Sequence, residues 1–267
     1  IESLKEFIKT HKGILVLSHV TYKSSYRYPI TQINRFCKKN GVIVIWDLSH
    51  SIGAIDINVK DIELNYAVGC TYKFLNGGPG SPAFIYIRKS EINKLKSPIK
   101  GWFSHNNPFK FSDKYKESTS ISKFSNGTPH ILSLSALDTS IDITIESTTK
   151  RLERKSEKLF NFFYIIYENK LRDLNFKLIT PKNKSERGSH ISIMHREAWR
   201  ISKCLIYPIK KNNKKIIIDY RPNNIIRIAL TPLYSSFEDI YLCCMRLIEI
   251  VEEKEFEKKD KSMEGVT

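Results

Sequence analysis

Two short apolar runs, ILVL at 14–17 and VIVIW at 42–46, flank the segment PITQINRFCKKNG. Pro29 fits a helix start, Ile30, Ile33, Phe36 and Cys37 recur at helical spacing, and Gly41 fits a stop. Strand, helix and strand over this length form a βαβ unit, which predicts a parallel α/β sheet. YAVGC at 66–70 and AFIYI at 83–87 are two further candidates, and all four uninterrupted runs read as buried parallel strands. Ligands of such sheets gather beyond the carboxyl ends of the strands. That rule places Ser18, Asp47 and the pair Tyr72–Lys73 along one rim.

From Pro129 onward the pattern changes. One long helical stretch is predicted over about 131–170, with Leu134, Leu137, Ile141 and Ile145 at helical spacing. Strand candidates follow in FKLIT (176–180), HISIM (190–194), KIIID (215–219) and IIRIA (225–229), then a final helix from Ser236 to about Val251. These elements predict a smaller α+β domain, with a division into 1–130 and 131–267. The tail EEKEFEKKDKSMEGVT reads as a frayed, charged end.

Composition narrows the function classes. Of the 267 residues 41% are hydrophobic and 27% charged, the balance of a folded globular chain. The run FNFFYIIY at 160–167 is far too short to span a membrane, and the first ten residues read as an amphipathic segment, not a secretory signal. With no initiator Met, the chain is expected to begin inside something longer. Five scattered Cys give neither a disulfide framework nor a CxxC pair, which points to reduced thiols and a cytoplasmic location. His190 and His195 are five apart, the wrong spacing for one face of a helix or strand, so no metal site is expected. The net charge of +16 is spread along the chain with abundant Ile and Asn. It reads as a solvated surface shaped by coding bias; a nucleic-acid interface would gather its basic residues among aromatics.

The rim residues suggest a chemistry. Most lysines lie in polar surroundings, but Lys73 stands between Tyr72 and Phe74, with a loop rich in Gly and Pro behind it. A semi-buried lysine is a nucleophile toward an aldehyde. Asp47 ends a neighbouring predicted strand; taken alone it is more readily a cap of the next helix. Together they are the two groups a pyridoxal phosphate site requires, a lysine for the aldehyde and a carboxylate for the pyridinium. Tyr72 could contact the phosphate, beside the tight turns that Gly77, Gly78 and Gly80 permit.

Six blocks then occur in one order: DLSHSIG (47–53), TYKFLNGGPGSPAFIYIRK (71–89), GWFSH (101–105), NGTPHILSLSAL (126–137), RGSHISIMH (187–195) and RIALTPLYSSFEDIY (227–241). In these blocks the chain resembles the kynureninase family. The resemblance implies an aspartate-aminotransferase-like (fold type I) pyridoxal phosphate enzyme, an α/β protein. Residues 1–130 would then be the remainder of the cofactor-binding large domain, and 131–267 a long connecting helix with a small C-terminal domain. The implied reaction is hydrolysis of L-kynurenine or 3-hydroxykynurenine to an anthranilate and L-alanine, within tryptophan catabolism and NAD biosynthesis.

Position by position, the resemblance makes Lys73 the cofactor lysine and proton carrier, Asp47 the partner of the pyridine nitrogen, and Tyr72 a phosphate contact that assists proton transfer. Ser18 and His50 match cofactor-pocket residues, while Trp102 and Thr128 match residues that reach the phosphate in a neighbouring subunit. Arg227 matches the arginine that takes the substrate α-carboxylate, with Asp219 and Arg221 as its support. The implied partners are an amino-acid substrate and either a second copy sharing active sites or a missing N-terminal half.

The chain also departs from the family. Members are longer, with the extra portion preceding these residues, so an exposed sheet edge is expected. Ser104 stands where Gly is usual, His130 where Pro is usual, and YPIKKNNKK (207–215) has drifted, which suggests a loosened loop. The alternatives are another enzyme of the same fold, a cysteine desulfurase or an aminotransferase, and a non-catalytic relic acting as a basic binding module. Against the desulfurase, Tyr72 precedes Lys73 where His would stand, and Cys204, Cys243 and Cys244 fall in predicted helices.

Overall fold

The βαβ unit of the sequence is present in the computed structural model, which describes residues 1–210 and 212–262. Contacts divide the chain into two units: the first holds Ile1–His19, Ile30–Ser49 and Ile57–Ile143, and the second holds Val20–Pro29, His50–Asp56 and the chain from Thr144 onward.

The first unit contains α1 (Glu2–Thr10), β1 (Gly13–Ser18), α2 (Ile30–Lys39), β2 (Val42–Asp47), β3 (Tyr66–Cys70), β4 (Ala83–Ile87), the single turn α3 (Lys89–Ile92) and most of α4 (Ile131–Ser147). Helix α2 follows Pro29 and ends before Gly41, whose φ of +67° is the left-handed position that closes many helices. Its buried residues Ile30, Ile33 and Cys37 form the helix side of a core whose strand side is Val42, Val44 and Trp46. Trp46 is fully buried and donates its indole Nε1–H to Asn34 Oδ1 on α2 at 2.7 Å, which satisfies its one polar atom.

The sheet order is β1-β2-β3-β4, with the first three strands parallel. The fourth departs from expectation, because β4 runs antiparallel to β3. The link between them, residues 71–82, is too short and too rich in Gly and Pro for a crossover helix, so the chain returns as a hairpin. Nor are the strands buried on both faces. Ile14 and Val16, each 65% exposed, lie with Ile43, Val68 and Ile85 on the face opposite Trp46. Strand β1 forms one edge of this sheet.

The second unit contains α5 (Thr149–Ile166), β5 (Lys177–Leu178), β6 (His190–Met194), α6 (Ala198–Ile206), β7 (Asp219–Arg221), β8 (Ile225–Ala229) and α7 (Phe237–Glu252). Its sheet is antiparallel in the order β5-β6-β8-β7. Leu159 and Phe163 of α5, Ile191 and Ile193 of β6, Ile226 of β8 and Leu247 of α7 are fully buried together in one core. The N-terminus of α7 is fixed by a capping box in which Ser236 and Asp239 each satisfy a backbone N–H of the other.

Three sequence expectations are corrected here. The long helix over 131–170 is two helices, because Thr148 adopts φ +56° and its hydroxyl accepts from the Arg151 N–H to cap α5. The run KIIID is mostly not a strand. Ile216 donates its N–H to the Leu205 carbonyl at 2.9 Å and Ile217 turns outward, so pairing starts only at Asp219. FKLIT pairs over two residues only, since Ile179 and Thr180 both donate to the Ser192 carbonyl and end the ladder.

The tail is also not frayed through Ser262. Phe256 is buried, and Glu255, 2% exposed, makes a bidentate ion pair with Arg246 of α7. The expectation for its last five residues lies outside the described residues, as does Lys211 within the loop at 207–215. Lys210 of that loop is held by Glu253 and Glu249. Glu255→Ala leaves the Arg246 guanidinium buried without its main partner, and is expected to cost about 3–5 kcal/mol. Glu257→Ala, at an exposed position two residues on, is expected to change stability by about 0.5 kcal/mol or less. Urea denaturation midpoints at constant slope measure both.

Candidate active site

The parallel register brings the carboxyl ends of β1, β2 and β3 to one rim. Ser18 is aligned with Asp47, and Asp47 with Val68, so the Ser18 and Asp47 side chains leave the sheet on the same face. Ser18 donates its hydroxyl to Asp47 Oδ2 at 3.1 Å, and the Ser49 N–H donates to Oδ1 at 2.9 Å. Both carboxylate oxygens are thus oriented in a half-buried position, as a carboxylate taken partly out of water requires.

Lys73 lies three residues beyond the end of β3. Its loop is pinned by Thr71, which is buried and donates to the Pro82 carbonyl, while the Gly77 N–H returns to the Thr71 carbonyl at 3.0 Å. Gly78 and Gly80 both take φ +80°, a conformation that a side chain would strain. Held this way, Lys73 Nζ donates to the Tyr72 hydroxyl at 3.1 Å and lies 3.4 Å from Cys70 Sγ. Cys70 was not singled out from the sequence; its signal is the strand-end position three residues before the lysine.

Lys73 itself is half-buried, and among the described residues a different lysine is the buried one. Lys123, 4% exposed, donates to the carbonyls of Ile92 and Leu95 at 3.1 and 3.0 Å and lies 3.5 Å from Glu117. Its neighbours in SISKFS are mostly small or polar, so nothing in the sequence marked it.

Trp102 and Thr128 belong to a second cluster in the same unit, where GWFSH meets NGTP. A Cβ built on Gly101 would come within 1.9 Å of the Asn126 carbonyl oxygen, so the two motif loops touch backbone to backbone only because residue 101 is Gly. Trp102 is 47% exposed, with its indole N–H donated to the Pro108 carbonyl at 2.7 Å and its ring edge-on to Phe103 and Phe109. Thr128 is exposed. Ser104 does not need glycine freedom: its φ is not positive, and its buried hydroxyl bonds to Gly101 and to the Tyr115 hydroxyl at 2.9 Å. His130 offers its carbonyl to Leu134 in the first turn of α4.

The remaining expected residues lie in the second unit. Arg227 of β8 is ion-paired with Asp219 of β7, which also holds Arg221 at 2.7 Å, and it donates to the Tyr22 carbonyl at 2.9 Å. One carboxylate therefore fixes two guanidinium groups, and the Tyr22 carbonyl also orients that of Arg227. His50 packs against His190 with ring centroids 5.7 Å apart. Burial pushes His190 down to about 3, with help from the positive charge of Arg227 and from His50. His190 therefore stays neutral beside a fixed cation. The sequence reading considered it only as a metal ligand; its place in the RGSH block was the better signal.

The helical cysteines are inert. Burial raises the thiol of Cys204 to about 11 and that of Cys243 to about 12, and Cys244 shifts the same way.

This architecture is shared with solved structures. An apo cysteine desulfurase from Thermococcus onnurineus superposes with a TM-score of 0.75 at 18% identity, over 94% of this chain and 63% of that one. The lyase C-DES, in a mutant with glycine covalently linked to its pyridoxal phosphate cofactor, gives 0.74 at 15% identity, over 93% and 63%. The fold is that of the fold-type-I pyridoxal phosphate enzymes, α/β with a mainly parallel sheet. Sequence comparison is more specific. Residues 152–247 match the kynureninase C-terminal domain, and a kynureninase from Pseudomonas fluorescens is 33% identical over 95% of this chain and 59% of its own length. In sequence the chain is similar to the kynureninases and matches the C-terminal portion of their length. It spans about three fifths of the length of the curated relatives it matches.

The depressed His190 value sets a pH dependence. Between about 3 and 6.5 the unfolded chain binds a proton at this position that the folded chain does not. Stability should therefore fall as pH drops below 6.5. Between pH 6.5 and 5, His190→Gln is expected to flatten the slope by up to about 1.4 kcal/mol per pH unit. Denaturation midpoints across that window, wild type against variant, measure it.

Proposed function

We propose that this chain provides the lysine-bearing part of a kynureninase-type site, in which a pyridoxal phosphate-dependent enzyme hydrolyses L-kynurenine or 3-hydroxykynurenine to an anthranilate and L-alanine. The observation that carries the reading is the oriented Asp47 carboxylate and the Lys73 amine at the ends of neighbouring parallel strands, in a chain that matches kynureninases over 95% of its length.

The donor set fits the cofactor. Lys73 supplies an amine for the aldehyde, Asp47 a carboxylate for the pyridine nitrogen, and Tyr72 a hydroxyl beside the amine. Ser18 would hold Asp47 in place, and His50 would serve as a further cofactor contact. Trp102 and Thr128 would serve the phosphate of a neighbouring copy, which makes the working form a homodimer with shared sites. When bound, pyridoxal phosphate supplies an electron sink for the charge that develops at the substrate α-carbon.

The chain's own groups would do the rest. Arg227, already oriented by Asp219 and the Tyr22 carbonyl, would take the α-carboxylate through its fork of donors. Lys73 Nζ would remove the α-proton and return it later, with the Tyr72 hydroxyl 3.1 Å away as relay. Water adds to the side-chain ketone, and the bond between the carbonyl carbon and the β-carbon breaks. The acyl carbon leaves as the anthranilate carboxylate, and the β-carbon takes a proton to become the methyl group of alanine.

Added pyridoxal phosphate is expected to give a visible absorption band, which borohydride fixes as a label on Lys73. Lys73→Ala should abolish the band, and a band that survives the substitution removes Lys73 as the anchor. In a kynurenine turnover assay Arg227→Ala should raise KM and lower kcat/KM by the equivalent of about 2–5 kcal/mol. An unchanged KM ends its assignment to the carboxylate.

A further inference from the structure

A cavity of about 450 Å³ lies within the second unit, floored by Ala54 and Ile55 and walled by the first two turns of α5 and the segment around Arg187. The charges along it do not balance. Glu153 accepts from Arg27 at 2.7 Å and from the Asp56 N–H at 3.0 Å, so its two oxygens are committed. Glu157 lies 3.6 Å from Lys184. After these two pairings Lys150, Arg154 and Arg187 remain as three further cations on the wall.

Arg187 is the telling one. Only 6% of it is exposed, yet among the described residues no carboxylate lies within 4.0 Å of its guanidinium. One N–H is given to the Lys182 carbonyl, and the plane stacks on the Phe160 ring at 3.8 Å. A guanidinium has five donors, so most of its capacity is unspent in a place where an unmatched charge is costly. Burial lowers its pKa, with Glu157 acting against that only from a distance. The N-terminal turns of α5 add a favourable field for negative charge to the same wall.

From this wall we infer a second ligand site, distinct from the Lys73 rim, that takes a small dianion of the phosphate-ester class. Arg187 binds the oxyanion through its unspent donors, and Lys150 and Arg154 close over it from α5. Three cations against a dianion leave a residual charge of +1 on the occupied wall, whereas a monocarboxylate leaves +2. The apolar floor at Ala54 and Ile55 accepts the ester's carbon portion.

The probe is inorganic phosphate, titrated calorimetrically into the full chain at constant ionic strength. Saturable one-site binding is expected, weakened about tenfold or more by Arg187→Gln, as suits the loss of a charge-assisted pair. Arg154→Gln, at an exposed position that folding does not need, should weaken it about threefold. Phosphate at the Lys73 rim would bind equally well to both variants, so undiminished binding in Arg154→Gln and Arg187→Gln overturns the proposal. Absence of saturable binding to the wild type at millimolar phosphate overturns it as well. If Arg187→Gln fails to fold, the Arg154→Gln titration decides alone.

Discussion

The parallel alignment of β1, β2 and β3 is the constraint on which the candidate active site rests. Side chains alternate faces along a strand, so a one-residue slip of β2 would send Asp47 to the opposite side of the sheet from Ser18. The register is enforced from the buried face, where Val42, Val44 and Trp46 pack toward α2 and Trp46 donates to Asn34 at 2.7 Å. Packing on one face thereby fixes chemistry at the strand ends. The same logic holds in the second unit, where Ser192 is aligned with Arg227, and Arg227 with Asp219.

Buried and half-buried charge is handled in four ways. Arg246 and Glu255 neutralise each other directly, and Asp219 divides one carboxylate between two arginines. Lys123 relies on main-chain carbonyls with a carboxylate nearby. Arg187 has a carbonyl and an aromatic face but no carboxylate in contact among the described residues, which sets it apart from the others. Desolvation costs of this kind are seldom left unmatched.

The sequence was most legible where local chemistry and tertiary demand agree. YAVGC, AFIYI, HISIM and IIRIA are strands with the predicted bounds, and the last helix starts at Ser236 as predicted. It was least legible where one backbone angle or one long-range bond decides. Thr148 breaks a periodic stretch through its positive φ, and the Ile216 N–H is claimed by Leu205 instead of a strand. The direction of β4 could have been read from the hairpin-like loop before it, but apolar runs alone do not tell parallel from antiparallel. At the site, the positions of Asp47 and Lys73 followed from the rim rule. The contacts of Arg227 with Tyr22 and of His50 with His190 cross long stretches of chain that no local pattern reports.

Lys123 carries a further consequence for the chemical reactivity of this lysine-rich chain. Reagents that acylate or reductively alkylate amines attack an ammonium group only after it sheds a proton and meets solvent. At 4% exposure and with two carbonyls in hydrogen-bond contact, Lys123 does not meet solvent while residues 92–123 hold their fold. It is therefore a built-in reference for covalent labelling. Modification at Lys123 reports opening of the loop around it, while exposed lysines such as Lys150 and Lys158 report only that reagent was present.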